Sequence, residues 1–314
     1  MPVKRPTKSE LTILPAEPLS EIPWLVHGFS TRLGGFSRVY GGGALNLEFT
    51  KEDSRNAVER NRTVFLNKFG FLKNGQPWPL VTLRQIHSDL IHRVNKIPEE
   101  QLAGDGLLTD TPGMLLGIGT ADCLPIIVVD VKKKAVGVFH AGWRGTVKRI
   151  VEKGIGEMGR YFGTVPGDVK SAIGPGIHGC CYEVGTEVRD RFASQFAYAT
   201  ELFRESKDSD PIRKKYPLLF LSARPPGHSD LPKKVFLDLV EANRRQLIDA
   251  GVPAKNISAS PLCTSCRTDL LFSHRKENGV TGRMLAVAGI RALPAEAFGE
   301  VGNWNRSADD GVEL

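Results

Sequence analysis

The chain has 314 residues, enough for one large mixed domain and for a sizeable core, and its 41% hydrophobic and 25% charged content is that of an ordinary globular protein. The net charge of +7 comes from 42 basic and 35 acidic residues that are scattered, with short clusters at Lys132–Lys134 and Arg213–Lys215. No basic stripe or nucleic-acid motif follows from that pattern, and no apolar run is long enough to span a bilayer, so neither nucleic acid nor membrane is expected as a partner. Met1–Pro15 is broken by charges and prolines, unlike a secretory signal, so the expectation is a cytoplasmic chain with reduced cysteines.

In chain order, residues 1–20 read as an N-terminal tail, and residues 21–291 as one catalytic domain. Leu25–Phe29 is the first strand. Gly34-Gly35 reads as a hairpin turn, and Gly41–Gly43 as a flexible turn rather than a phosphate loop, because no Lys-Ser/Thr follows. Ser54–Phe69 reads as a helix with Val58, Phe65, Leu66 and Phe69 on one face. Leu80–Ile86, Leu90–Val94, Met114–Ile118, Leu124–Asp130 and Ala135–His140 are short apolar or alternating runs, hence strands. Asp105-Gly106 is a turn signal, and Asp105 is expected to be structural.

Thr146–Met158 carries Val147, Ile150, Val151, Ile155 and Met158 at helical spacing. Val169–Ile173 is a strand, and Thr186–Phe196 a helix with Val188, Phe192 and Phe196 on one stripe. Residues 205–234, rich in proline and charge, read as a lid or insertion loop. Leu239–Ala250 follows Asp238 with Glu241 three residues on, a capping box. Met284–Ile290 is the last strand, and 292–314 a C-terminal tail. Paired strands alternating with isolated helices point to an α+β (mixed α/β) fold rather than a regular βαβ array.

The chemistry concentrates between Gly119 and Gly145. An antiparallel hairpin about the polar turn Asp130–Lys134 places Cys123 opposite His140 or its neighbour, where facing side chains can share a metal or exchange a proton. Both sit at polar, glycine-rich strand ends, where sites concentrate. His87 stands in the same context and is the third candidate ligand, whereas His92 reads as surface or packing. Two imidazoles and a thiolate leave one tetrahedral position open, the arrangement of a catalytic zinc. The alternative is a metal-free Cys123 nucleophile with His140 as its base.

Cys263 and Cys266 form a C-x-x-C. A structural metal would need a second pair, and Cys180 and Cys181 cannot both point inward from one strand, so packing or pocket lining is expected of them. Asn46, Arg62, Arg144, His274 and Arg275 are candidates for contacting substrate: an amide for a base or sugar, guanidinium forks for phosphate or ribose oxygens. Arg144 also stands at a helix start, where free N–H groups favour an anion.

Gln85–His87, Thr120–Cys123, Phe139–Gly145, Ile173–Val184 and Phe272–Arg275, in this order, resemble the signature blocks of the YfiH/YlmD family, and the likeness runs from about His27 to Ile290. The resemblance implies a four-layer α-β-β-α sandwich, shared with the catalytic domain of a deamidating bacterial toxin. It implies zinc held by His87, Cys123 and His140. It further implies purine nucleoside chemistry: phosphorolysis of adenosine, inosine, guanosine and methylthioadenosine, and deamination of adenosine, with nucleoside and phosphate as the small-molecule partners of a monomer or weak homodimer. Two alternatives accompany it, a cysteine hydrolase, deamidase or peptidoglycan-precursor editing enzyme built on Cys123 and His140, and a copper-dependent polyphenol oxidase. Copper is otherwise expected only as an adventitious metal, and seven histidines without a His-x-His pair do not suit a multicopper cluster. Gly176–Gly179 departs from the compact, proline-containing turn of the family, and 205–234 is longer than is typical; both bear on the substrate pocket and leave the metal ligands intact.

Overall fold

The computed structural model describes residues 10–70, 72–73, 76–206 and 234–291. The C-terminal tail 292–314 and most of the 205–234 insertion lie outside the described residues.

Two mixed sheets form the centre. One has five strands in the order Ile13–Leu14, Leu25–Ser30, Met284–Ile290, Leu115–Thr120, Leu80–Thr82. The other has six: Ile257–Ala259, Val169–Ile173, Leu124–Asp130, Ala135–Ala141, Gly106–Thr109, Ile91–Arg93. Side chains alternate between the faces of a strand, and both sheets are covered on both faces. From the six-stranded sheet, Ile127, Val129, Val136 and Val138 point inward and pack with Leu116, Ile118, Ala286 and Ala288 of the other sheet. Ile126, Val128 and Phe139 point the opposite way, onto Ile150, Val151, Ile155 and Met158 of helix Ile150–Phe162 and onto Leu239 and Leu247 of helix Leu239–Asp249. The outer face of the five-stranded sheet offers Leu285 and Val287 to Phe65 of helix Arg55–Lys68. The layers are therefore α-β-β-α. Double-sided burial also explains why the central strands read as unbroken apolar runs.

Leu124–Asp130, Val169–Ile173 and Met284–Ile290 form as the sequence suggests. Ser54 caps the first long helix by accepting the Ala57 N–H, and Asp238 caps the last by accepting that of Glu241. Other elements differ. Residues 10–20, expected to be tail, contribute a strand that pairs Ile13 with Ser30 and a short helix that buries Leu19. Gly34 and Gly35 lie inside strand Leu33–Ser37 rather than in a turn; a Cβ at either would sit 2.3 Å from neighbouring backbone, so glycine is there for close approach. The helix expected over Thr146–Met158 is two helices, Trp143–Val147 and Ile150–Phe162, because Arg149 adopts φ +61° between them. Its guanidinium holds that break by bonding Glu152 and the Gln195 carbonyl, both at 2.7 Å. The strand expected to reach Ile86 ends at Thr82, and that early ending shapes the site.

Candidate metal centre

The hairpin turn is built by Asp130, whose carboxylate accepts the N–H groups of Lys132 and Lys133 at 2.9 Å each. It sets the register, Leu124 with Ala141 and Pro125 with His140. Cys123 thus stands just before its strand's first paired residue and lies across from Gly142, diagonal to His140. Glycine is needed there: a Cβ at Gly142 would meet the Cys123 sulfur at 2.8 Å and the His87 ring at 3.3 Å.

His87 reaches the same place by another route. Beyond Thr82 the chain leaves the sheet, and the Gln85 side chain replaces the missing ladder rungs, donating to the Gly119 carbonyl and accepting the Gly119 N–H, both at 2.8 Å. The chain then turns, with His87 at φ +56°. Buried Asp105 takes up the N–H groups this turn frees: Ile86 at 3.3 Å, His87 at 3.1 Å and Ser88 at 2.5 Å. The same carboxylate accepts His140 Nδ1–H at 2.7 Å. Asp105 thereby sets the places of both imidazoles and leaves Nε2 of His140 as the free ring nitrogen.

One donor atom from each of His87, Cys123 and His140 lies within 4.8 Å of the others. An ion about 2.0–2.3 Å from two nitrogens and a sulfur requires separations of roughly 3.3–3.8 Å, which fall inside that bound, so the donor set fits one tetrahedral ion. His140 is buried at the base and His87 is exposed at the mouth. Burial by itself would raise the Cys123 thiol; the charge on His140, with hydrogen bonds from both histidines, outweighs it and holds the thiol at about 6. Burial would lower His140, yet Cys123 and Asp105 raise it to about 9. Without a metal the pair is therefore a thiolate beside an imidazolium.

Asp122, at φ +89°, ties the segment from Thr264 to Arg275 to Cys123. Its carboxylate accepts from Thr264 Oγ1 at 2.6 Å, Ser273 Oγ at 2.7 Å and the Arg275 N–H at 2.6 Å. Burial and the Cys123 charge push the Tyr182 phenol above its usual range, while Arg275 and Arg144 oppose them, which marks Cys123, Arg275 and Arg144 as neighbours of Tyr182. Arg275 donates to the Glu183 carbonyl at 2.7 Å and Arg144 stacks on Trp143, so both guanidiniums keep free donors on the exposed side. His274, next to Arg275 in the chain, is exposed.

Two of the proposed substrate contacts have protein partners instead. Asn46 is fully buried, donating to the Glu48 carbonyl and to Asp53, both at 2.9 Å, and accepting the Arg283 N–H at 2.9 Å. Arg62 donates to the Leu47 carbonyl at 2.7 Å and pairs with Glu48 at 3.1 Å. Sequence reasoning gave no site role to Asp105, Asp122, Gln85, Gly142 or Tyr182. All but Asp105 stand inside the signature blocks, and Asp105, read as a structural turn residue, is a fully buried acid, which a turn does not require.

The reading of the cysteines is corrected. Cys180 and Cys181 lie in a turn, not a strand, with the Cys181 and Tyr182 N–H groups both on the His178 carbonyl at 2.9 Å. A turn can aim two consecutive side chains the same way, and their sulfurs meet those of Cys263 and Cys266. Elsewhere, a cavity of about 990 Å³ bordered by Leu14, Phe29, Ile173, Pro261 and Arg267 takes none of its lining from the triad.

Residues 26–291 match the family model described as multi-copper polyphenol oxidoreductase laccase. The chain is 35% identical over 275 residues, 85% of itself and 90% of the relative, to the purine nucleoside phosphorylase YlmD of Geobacillus stearothermophilus. It is 37% identical over 213 residues, 65% of itself and 72% of the relative, to adenosine deaminase RL5 of an unknown prokaryotic organism. Its structure resembles the crystal structure of the hypothetical protein YfiH of Bacillus licheniformis with a TM-score of 0.71 at 30% identity, covering 85% of this chain and 93% of that one.

Proposed function

Because the chain belongs to the family described as multi-copper polyphenol oxidoreductase laccase, the YfiH/YlmD family, we propose that it is a zinc-dependent purine nucleoside enzyme. It would carry out phosphorolysis of adenosine, inosine, guanosine and methylthioadenosine, and deamination of adenosine. The observation that carries the reading is the convergence of His87, Cys123 and His140 around a single open point, oriented by Asp105. The names of the relatives, purine nucleoside phosphorylase and adenosine deaminase, supply the substrate class.

Zinc on the three side chains would supply Lewis acidity at the one coordination position they leave open. The chain's own groups do the rest. Asp105 holds His140 in one tautomer. Arg144, Arg275 and His274 receive phosphate at the mouth, and Ile86, 42% exposed beside His87, offers an apolar surface to the purine. In phosphorolysis a phosphate oxygen forms a bond to the anomeric carbon as the bond to the purine nitrogen breaks, and the base leaves with a proton. In deamination water adds at the amino-bearing carbon and ammonia leaves. Tyr182, kept neutral by burial, keeps its hydroxyl hydrogen for a hydrogen bond to the departing group.

One observation favours a second reading. A thiolate–imidazolium pair oriented by a carboxylate is also the arrangement of a cysteine hydrolase. A copper oxidase, suggested by the family description, ranks third, since soft Cys/His donors bind copper without making it the resident metal. The test is zinc-loaded protein with adenosine, with and without phosphate, and chromatography of the products. Adenine formed only with phosphate establishes phosphorolysis, and inosine formed without it establishes deamination. Absence of adenine, inosine and hypoxanthine contradicts the proposal.

A further inference from the structure

We infer that the chain holds a second metal: a structural zinc bound by Cys180, Cys181, Cys263 and Cys266, separate from the triad. The four sulfurs lie within 4.8 Å of one another. The sulfurs of Cys180 and Cys181 are 3.7 Å apart, those of Cys180 and Cys266 3.7 Å, and those of Cys181 and Cys266 3.3 Å. A tetrahedron of thiolates about 2.3 Å from zinc has edges of about 3.8 Å. A disulfide needs about 2.05 Å, far shorter than any of these separations. Four sulfurs and no nitrogen or carboxylate is a donor set for zinc or iron, and of these the redox-inert zinc is the ion assigned to a structural role.

The backbone supports the assignment. Cys263 and Cys266 are three residues apart in a loop, and Cys180 and Cys181 lie in the turn after His178. The His178 N–H points at the Cys263 sulfur at 3.5 Å. A backbone donor aimed at a sulfur suits a thiolate ligand. Cys180 and Cys266 are exposed and Cys263 is buried, so an ion can enter from solvent and still be held at the surface of the core. Binding replaces the thiol protons, which pass to solvent, and nothing is oxidised or reduced.

The cluster joins two segments that form the wall of the triad. Gly176 bridges to Cys263, and the Thr264 N–H bonds the Gly176 carbonyl at 2.9 Å. The Ile177 N–H bonds the Asp122 carbonyl at 2.8 Å, and Thr264 Oγ1 bonds the Asp122 carboxylate. Tyr182 follows directly on Cys181. The sulfurs would therefore fasten the segment carrying Tyr182 to the segment leading to Arg275, with Asp122 between them.

The experiment uses full-length Cys123→Ser protein, in which the triad is broken, reduced and reconstituted with zinc chloride alone. X-ray absorption at the zinc edge should show one zinc per chain with an all-sulfur shell. In the otherwise unaltered protein, Cys266→Ser should remove one equivalent of zinc and lower the melting temperature while the triad's equivalent stays. Three results overturn the inference. They are no zinc with all four thiols reactive toward a thiol reagent, a zinc whose shell contains nitrogen, or a disulfide among the four detected by mass spectrometry of freshly purified protein. Because the triad is disabled in the first protein, none of these results depends on the proposed activity.

Discussion

Asp105 does more at the residue scale than any ligand. One buried carboxylate receives two main-chain N–H groups of the His87 turn, the Ser88 N–H and hydroxyl, and His140 Nδ1. With so many donors its pKa is held well below the usual carboxylate range, against the upward push of burial. Asp105→Asn keeps the shape but replaces one acceptor oxygen with an NH₂ group, which faces donors. The expected result is a 10–100-fold loss of metal affinity or turnover, read by competition with a chelator and by kcat, in a protein that remains folded. Unchanged zinc affinity and kcat would show that Asp105 does not orient the site. Asp122 is the counterpart on the Cys123 side. Neither acid was legible as a site residue: Asp105 was read as a structural turn residue and Asp122 only as part of the Thr120–Cys123 block, and the role of each depends on partners far away in sequence.

At the element scale, helix Leu239–Asp249 holds the short helix that carries Arg144. Asn243 donates to Thr146 Oγ1 at 3.0 Å and Gln246 to the Thr146 carbonyl at 2.8 Å. The anchoring helix starts at Asp238, which caps the Glu241 N–H at 2.9 Å. Asp238→Ala should cost about 1 kcal/mol, measured as a fall in the denaturant midpoint with an unchanged slope. A change within about 0.5 kcal/mol would show that the cap does not matter here. Capping signatures and apolar periodicity were legible because they are local. What sequence did not reveal at this scale were the interruptions. The Gln85–Gly119 side-chain pairing ends a strand early, and the left-handed Arg149 splits a helix whose apolar spacing runs straight through the break.

For the whole molecule, the two sheets and their helix layers make a core large enough to stand without a metal. Its strands were legible one by one from apolar runs. The layering came from resemblance, since double-sided burial erases the alternation that would tell one face from the other. Acid stability is a property of this core. His27, on the second strand of the five-stranded sheet, accepts the Ala16 N–H at 3.1 Å, and burial lowers it from 6.5 to about 4. The unfolded chain therefore binds a proton that the folded one refuses between those values. Stability contributed by neutral His27 is present above pH 6.5 and is lost as pH falls toward 4. The loss is on the order of 3 kcal/mol. His27→Gln keeps an acceptor but does not titrate, so its stability should fall less steeply over that range in denaturant titrations at successive pH values. Parallel curves for the two proteins would contradict this.

The central claim is that His87, Cys123 and His140 act as one metal centre. It is tested most directly by measuring zinc content, turnover and folding together in Cys123→Ser, His87→Ala and His140→Ala. A hydroxyl stays protonated at neutral pH and is a poor ligand for a borderline-soft ion, and alanine supplies no donor at all. Each variant should stay folded by circular dichroism, lose one equivalent of zinc relative to the unaltered protein, and lose turnover with it. A Cys123→Ser protein that keeps its full zinc content yet is inactive would contradict the account, because Cys123 would then be a nucleophile and not a ligand.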